Sequence, residues 1–319
     1  MTPASEDASF RRYFRVQLRD ASYIAMDAPP DKEACGPFVA IAAGFAARGV
    51  NVPRVFNSDL RQGFLLLTDF GAIHYLSVLD DRNVDRLYRD AIRALIDLQT
   101  PRADDHLSLP PYDRELLLRE MGLFGEWYVG SHLAYSLNRK ESDLLARSFE
   151  TLAQSALEQP KVWVHRDYHS RNLMVVPERN PGILDFQDAV VGPFTYDLVS
   201  LLRDCYVRWP EDRVWAWTEE YRRGTEVRHV NSEVSDSQFR RWFDLMGAQR
   251  HLKAIGIFAR LKYRDGKEGF IGDIPRTLGY LVSVCGRYDE LSELHELLLR
   301  LGDLDSHAGS GPQENDKYI

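Results

Sequence analysis

Cysteine is scarce: 319 residues contain three, Cys35, Cys205 and Cys285, odd in number and far apart. They have neither the spacing of a metal finger nor the even count of a disulfide framework, so core thiols in a reduced, cytoplasmic setting are expected. The chain also lacks any apolar run approaching the roughly 18 residues needed to cross a bilayer. Its first residues, Met1-Thr2-Pro3-Ala4-Ser5-Glu6-Asp7, lack the basic and then apolar pattern of a signal segment. Basic residues are not in excess, since 40 Lys and Arg face 48 Asp and Glu for a net charge of −8. No basic stretch is interleaved with aromatics as a nucleic-acid surface requires. Nucleic acid and membrane are therefore not expected partners, and no internal repeat or linker domain is visible.

With 44% hydrophobic and 28% charged residues, the composition is that of an ordinary globular protein, and the length accommodates two lobes. The informative stretch is residues 160–188. It holds His165-Arg166-Asp167, then Asn172, then Asp185-Phe186-Gln187. H-R-D-x-x-x-x-N followed by a D-F-x turn is the pattern of a kinase catalytic loop and its metal-binding partner. Leu173-Met174-Val175-Val176 reads as a short strand, 177–182 as a Pro/Asn/Gly turn, and Ile183-Leu184 as the returning strand. Such a hairpin brings Asn172 and Asp185 together across 13 residues of sequence. The expected roles are Asp167 as base toward an attacking hydroxyl, Asn172 and Asp185 as magnesium ligands, and His165 and Arg166 as braces of the loop. A buried β-hairpin with an incidental acidic rim is the bland alternative, and four fixed positions plus an acid ending a return strand weigh against it.

Two further absences concern the residues before this motif. In a kinase, the first two strands hold a phosphate-covering loop between them. Here that loop falls on Glu6–Ser9 and has no glycine, leaving backbone N–H groups, Ser9, Arg11 and Arg12 as the candidate phosphate contacts. Little chain precedes it, so either the first strand is very short or the usual N-terminus begins earlier. Strands are expected at 8–19 and 22–28. The second should carry a lysine for the nucleotide phosphates, but Tyr23-Ile24-Ala25-Met26-Asp27 offers Met26 or Asp27 instead. A lysine acts there as a point charge, so another cation can replace it; Lys32 and the arginines of 11–15 are the candidates. Glu33, just before a helix expected over 35–48, is a candidate acid to orient that cation.

Strands are expected at Val52–Phe56 and Gly63–Leu67. Asp69-Phe70-Gly71 imitates a kinase metal motif, but it precedes the base by about a hundred residues. It is read instead as the inter-lobe hinge, with the backbone of Leu67, Thr68, Asp69 and Phe70 facing the adenine of ATP. Beyond residue 72 the pattern is helical: a helix starting after Asn83, a pair at 113–137 and 141–157, then 197–208, 211–223, 236–263, 275–285 and 288–301. Trp127, Tyr128, His132 and Tyr135 form an aromatic stripe that reads as core. The expected organisation is an α+β, two-lobed protein-kinase-like fold with a small antiparallel-sheet N-lobe over 1–70. A larger, mainly helical C-lobe covers 71–302, and a flexible tail covers 303–319.

A family resemblance rests on these residues. Gly192-Pro193-Phe194-Thr195-Tyr196-Asp197-Leu198 after the metal aspartate, and His169, resemble habits of the aminoglycoside phosphotransferase family, with Val191-Gly192-Pro193 departing from its Gly-Asp-Pro. The string from His165 to Tyr206, with Asp7–Arg15, Leu252–Arg260 and Arg264–Lys267, looks closer to one branch. That branch comprises bacterial anomeric sugar kinases acting on N-acetylmuramate and N-acetylglucosamine in cell-wall recycling. The resemblance spans most of the chain. It implies ATP and magnesium as cofactors, a small-molecule amino sugar as substrate, and its C1 hydroxyl as acceptor. Asp188, Arg203 and Asp204 are then candidate sugar contacts, an arginine suiting a lactyl carboxylate. The competing readings are a kinase of the same fold acting on an aminoglycoside or amino alcohol, and a nucleotide-binding scaffold without turnover.

Overall fold

The structure is a computed structural model that describes residues 2–6, 10–230 and 234–308. In chain order its elements are β1 (Thr2–Glu6), β2 (Arg12–Gln17), β3 (Ser22–Asp27), α1 (Cys35–Ala47), β4 (Val55–Asp59), β5 (Phe64–Thr68), α2 (Tyr75–Val78) and α3 (Val84–Gln99). Then come α4 (Arg114–Leu123), which continues as a π-helical segment Phe124–His132, α5 (Arg139–Leu157), β6 (Lys161–Val164), β7 (Leu173–Met174), β8 (Gly182–Ile183) and β9 (Val190–Pro193). The remainder is helical: α6 (Tyr196–Leu202), α7 (Glu211–Val227), α8 (Asp236–Tyr263), α9 (Ile274–Cys285) and α10 (Ser292–Ala308), with short 3-10 turns before the last two. The chain divides into two compact units.

The first unit comprises residues 1–110, 163–190 and 219–230. Its sheet has the order β1-β2-β3-β5-β4, every neighbour antiparallel. Strand β2 starts at Arg12, so Phe10, expected inside a strand, lies in the bend before it and is exposed. Glu6 ends β1 and is not part of the covering loop, and Ser9 lies outside the described residues. Helix α1 buries Cys35, Phe38, Ile41, Ala42 and Phe45 and stops at Gly49, whose φ of +87° suits glycine. Helix α3 buries the apolar stripe Val84, Leu87, Tyr88, Ala91, Ile92 and Leu95. Asn83 precedes it without capping it, because its Oδ1 accepts from the Asp80 N–H at 3.1 Å, while its Nδ2 donates to the Val78 carbonyl.

The second unit comprises residues 111–162, 191–218 and 231–319 and is mainly helical. Helix α8 is its axis, burying apolar side chains such as Phe239, Phe243, Leu252 and Phe258. Gly256 lets α8 approach the backbone of Leu123 and Phe124; a Cβ there would come within 2.4 Å of Leu123 C. The long helix expected over 113–137 is instead α4 and a π-helical continuation, after which Asn138 and Glu141 form a capping box that starts α5. Tyr128 is fully buried and its ring stacks on His132 at 5.7 Å, which places that part of the aromatic stripe in the core. Helix α10 continues to Ala308, six residues into the expected tail, and Asp305 accepts from His132 at 2.9 Å. All three cysteines are buried free thiols.

Candidate active site

The chemistry-bearing residues from Asp167 to Asp188 all lie in the first unit. Two-residue strands β7 and β8 pair as Leu173 with Ile183 and Met174 with Gly182. The Leu184 N–H then donates to the Asn172 carbonyl at 2.9 Å, closing the hairpin at the two residues of interest. Asn172 Nδ2 donates to the Asp167 carbonyl at 3.0 Å and lies 3.3 Å from Asp185 Oδ2. The expected hairpin is therefore present, and it brings Asn172, Asp185 and the Asp167 backbone together. Gln187, the third residue of the D-F-x turn, donates to Asp185 Oδ1 at 2.7 Å. It had no expected role, although its place in the triplet was the available signal.

His165 braces the loop by using both ring nitrogens. Its Nε2 donates to the Leu184 carbonyl at 2.9 Å, and its Nδ1 accepts from the Asp167 N–H at 3.2 Å. That pairing requires the neutral Nε2–H tautomer. Complete burial pushes the imidazole down to about 4, against the opposing pull of the Asp167 charge. Arg166 and Asp185 are held at φ +78° and +63°, a left-handed backbone that non-glycine residues rarely adopt. Arg166 Nη1 donates to the Asp188 carbonyl at 3.2 Å, which ties the Asp167 loop to the end of the Asp185 turn. Asp167, Asn172 and Asp185 are half-buried, and Asp188 is exposed.

The segment read as a hinge packs against this hairpin. A Cβ on Gly182 would meet the Phe70 ring at 2.7 Å, so glycine is what allows Phe70 to lie there. Asp69 accepts from Arg15 Nε at 2.6 Å, from Ser22 Oγ and from the Gly71 N–H at 2.9 Å. Burial would raise its carboxyl, but these hydrogen bonds outweigh burial and hold it below the ordinary range. Thr68 is less available than expected: strand β5 has neighbours on both edges, and Thr68 exchanges hydrogen bonds with Arg54 through its N–H and its Oγ1.

Arg11 pairs with Glu33 at 2.7 Å, and Arg12 pairs with Asp27. Arg203 and Asp204 belong to the second unit and are 1% and 0% exposed. Arg203 bonds Asp244 at 2.7 Å and Glu211 at 2.9 Å, so its guanidinium is engaged in a buried ion-pair network.

The oxygen set suits magnesium. Asp185 provides a carboxylate and Asn172 an amide oxygen, while Gln187 Oε1 is buried with no partner among the described residues. Among those residues no group of three or more His, Cys, Asp or Glu gathers to hold a metal. Magnesium needs no such cage, because it retains waters and takes one or two carboxylates plus phosphate oxygens.

A half-buried carboxylate on a braced loop, beside an amide and a second carboxylate joined by a hairpin, is the arrangement of phosphoryl-transfer enzymes. Residues 1–252 match the family described as phosphotransferase enzyme family, APH, and the chain belongs to that family. It is similar to the N-acetylmuramate/N-acetylglucosamine kinase of Pseudomonas aeruginosa, 49% identical over 301 residues, covering 94% of this chain and 88% of that protein. The enzyme of the same description from Pseudomonas putida is 48% identical over 301 residues with the same shares. Among solved structures, choline kinase LicA from Streptococcus pneumoniae superposes with a TM-score of 0.57 at 12% identity, covering 85% of this chain and 89% of that one. The fold is thus the two-lobed, protein-kinase-like α+β fold expected from the sequence. No helix among the described residues is long and apolar enough to cross a membrane.

Proposed function

We propose that this chain is an ATP-dependent kinase that phosphorylates the anomeric hydroxyl of N-acetylmuramate, N-acetylglucosamine or both, in the cytoplasm, as a step of peptidoglycan recycling. The observation that carries the reading is the hairpin-built cluster of Asp167, Asn172 and Asp185 in a chain about half identical to kinases of those two sugars. Asp167 accepts the C1 hydroxyl proton as that oxygen bonds to the γ-phosphorus and the bond to the departing ADP oxygen breaks. An anomeric hydroxyl is more acidic than a primary alcohol, so a carboxylate base suffices. Asn172 and Asp185 would hold magnesium, which neutralises charge developing on the phosphates. Gln187 orients the Asp185 carboxylate, and the neutral His165 fixes the direction of the loop that presents Asp167. Asp69 and Phe70 supply the backbone for the adenine. Asp188, exposed beside the metal turn, is retained as a sugar contact.

The test is turnover of the purified chain with ATP, magnesium and a panel of amino sugars, amino alcohols and aminoglycosides, read by 31P NMR. The expected product is an N-acetylhexosamine 1-phosphate whose phosphorus couples to the anomeric proton. Phosphate on C6, or turnover restricted to a choline- or aminoglycoside-like acceptor, contradicts the proposal.

A further inference from the structure

Strand β3 carries no lysine: Met26 in its place is 1% exposed, and Asp27 is paired with Arg12. Some other cation must then meet the nucleotide phosphates. We propose that Arg11, the residue that leads into the neighbouring strand β2 and is held by Glu33, is that cation. The proposal rests on the nucleotide-binding part of the function proposed above and adds the residue that recognises the phosphates.

The register of β2 and β3 supports this placement. Tyr13 pairs with Met26 and Arg12 with Asp27. Directly opposite residues of an antiparallel pair share a face, and successive side chains alternate. Arg11, one residue before β2 begins, therefore continues the face that carries Tyr13 and Met26, where the strand lysine would project.

The partner of Arg11 ties it to the metal turn. Arg11 Nη2 lies 2.7 Å from Glu33 Oε2, and the two side chains are 10% and 16% exposed. The Phe10 N–H approaches the other Glu33 oxygen at 3.4 Å, so the carboxylate is fixed from two sides. Glu33 sits two residues before α1. The Phe38 and Phe45 rings of that helix pack 4.8 Å and 5.9 Å from the ring of Phe186, the residue after Asp185. One rigid helix thus links the carboxylate that orients the cation to the turn that orients the metal ligand. A guanidinium has five N–H donors in a fixed fork, enough to serve a carboxylate and a phosphate together.

The other candidate cations have different partners, none of them linked to α1. The Arg12 side chain is 65% exposed and pairs with Asp27. Arg15 is bound to both Asp69 oxygens and to the Gly71 carbonyl. Lys32 is exposed, with Nζ 4.4 Å from the centre of the Phe10 ring.

The test is calorimetric binding of ATP·Mg and of AMP, without sugar, to the full chain and to Arg11→Met, Arg11→Lys, Glu33→Gln and Arg61→Met. Arg11→Met is expected to weaken ATP·Mg binding about 10- to 100-fold, the scale of a charge-assisted hydrogen bond, and to leave AMP affinity within about twofold. Arg11→Lys should recover most of the loss and Glu33→Gln should fall between, while exposed Arg61→Met should match the wild type. Wild-type ATP·Mg affinity in Arg11→Met, or an equal loss for AMP and ATP, overturns the proposal. If Arg11→Met does not fold, Glu33→Gln decides it by the same ATP-against-AMP comparison, an ATP-specific loss supporting the proposal and wild-type ATP·Mg affinity overturning it. Because no sugar is present, failure of the sugar assignment leaves this result standing. A wild-type chain that binds no ATP·Mg overturns both proposals.

Discussion

Two groups of carboxylates in this chain differ in how their charge is treated. Asp244, within helix α8, is 4% exposed; it accepts from Arg203 at 2.7 Å and from the Tyr288 hydroxyl at 2.9 Å. Asp185 is half-buried on a left-handed turn, and the amides of Asn172 and Gln187 donate to its oxygens. Arginine neutralises a carboxylate, whereas neutral amides orient one without cancelling its charge. The first treatment builds a core, and the second fixes the direction of a carboxylate at the proposed metal site. Regular helical backbone in one case and left-handed backbone in the other repeats the contrast, since strain persists where the surroundings over-determine a functional geometry.

Substitutions should separate the two groups. The largest effect is expected for Asp185→Asn, which should lower kcat/KM about 10³-fold and raise the magnesium concentration needed for half-maximal rate, with the melting temperature little changed. Arg203→Met should do the reverse: removing one partner of a buried pair costs about 3–5 kcal/mol in denaturant unfolding, with near-normal KM in the fraction that stays folded. Equal behaviour of these two variants would remove the distinction.

Acid comes next. The folded-state pKa of His165 is about 4, and that of His251, buried and bonded to the Arg203 carbonyl, about 3. Both lie below the unfolded value near 6.5, so the unfolded chain binds more protons between these limits. Stability is fully present above pH 6.5 and lost as pH falls toward 4, with about 3 kcal/mol expected from His165 alone. Chemical denaturation at a series of pH values checks this, and His165→Phe should flatten part of the slope. Gly182→Ala is the smallest: its Cβ pushes on the Phe70 ring, so a loss of about 1–3 kcal/mol and weaker adenine binding are expected.

The hairpin that joins Asn172 and Asp185 was legible because its residues are close in sequence and follow a recognisable motif. The fold class was legible from the motif and the family resemblance, and the helices from periodicity, with α8 expected over the span it occupies, 236–263. Other features depended on distant partners. The Arg15–Asp69 pair joins residues 54 positions apart, and no local pattern announces it. Arg203 looked like a sugar contact because charge in a sequence does not reveal burial; Asp244, 41 residues on, is what engages it. The missing lysine of β3 left Lys32 and the arginines of 11–15 as candidate cations and Glu33 as the acid to orient one of them; that Arg11 is the one paired with Glu33 depends on the fold. The break at 124–132 and the extension of α10 past residue 302 depend on tertiary contacts, such as that between His132 and Asp305, that propensity does not contain.

The most direct test of the central claim is Asp167→Asn assayed with ATP, magnesium and N-acetylmuramate, with ATP·Mg affinity measured in parallel. The account predicts a loss of about 10²- to 10⁴-fold in kcat with nucleotide affinity within a few-fold of wild type. Ordinary turnover by this variant would contradict it.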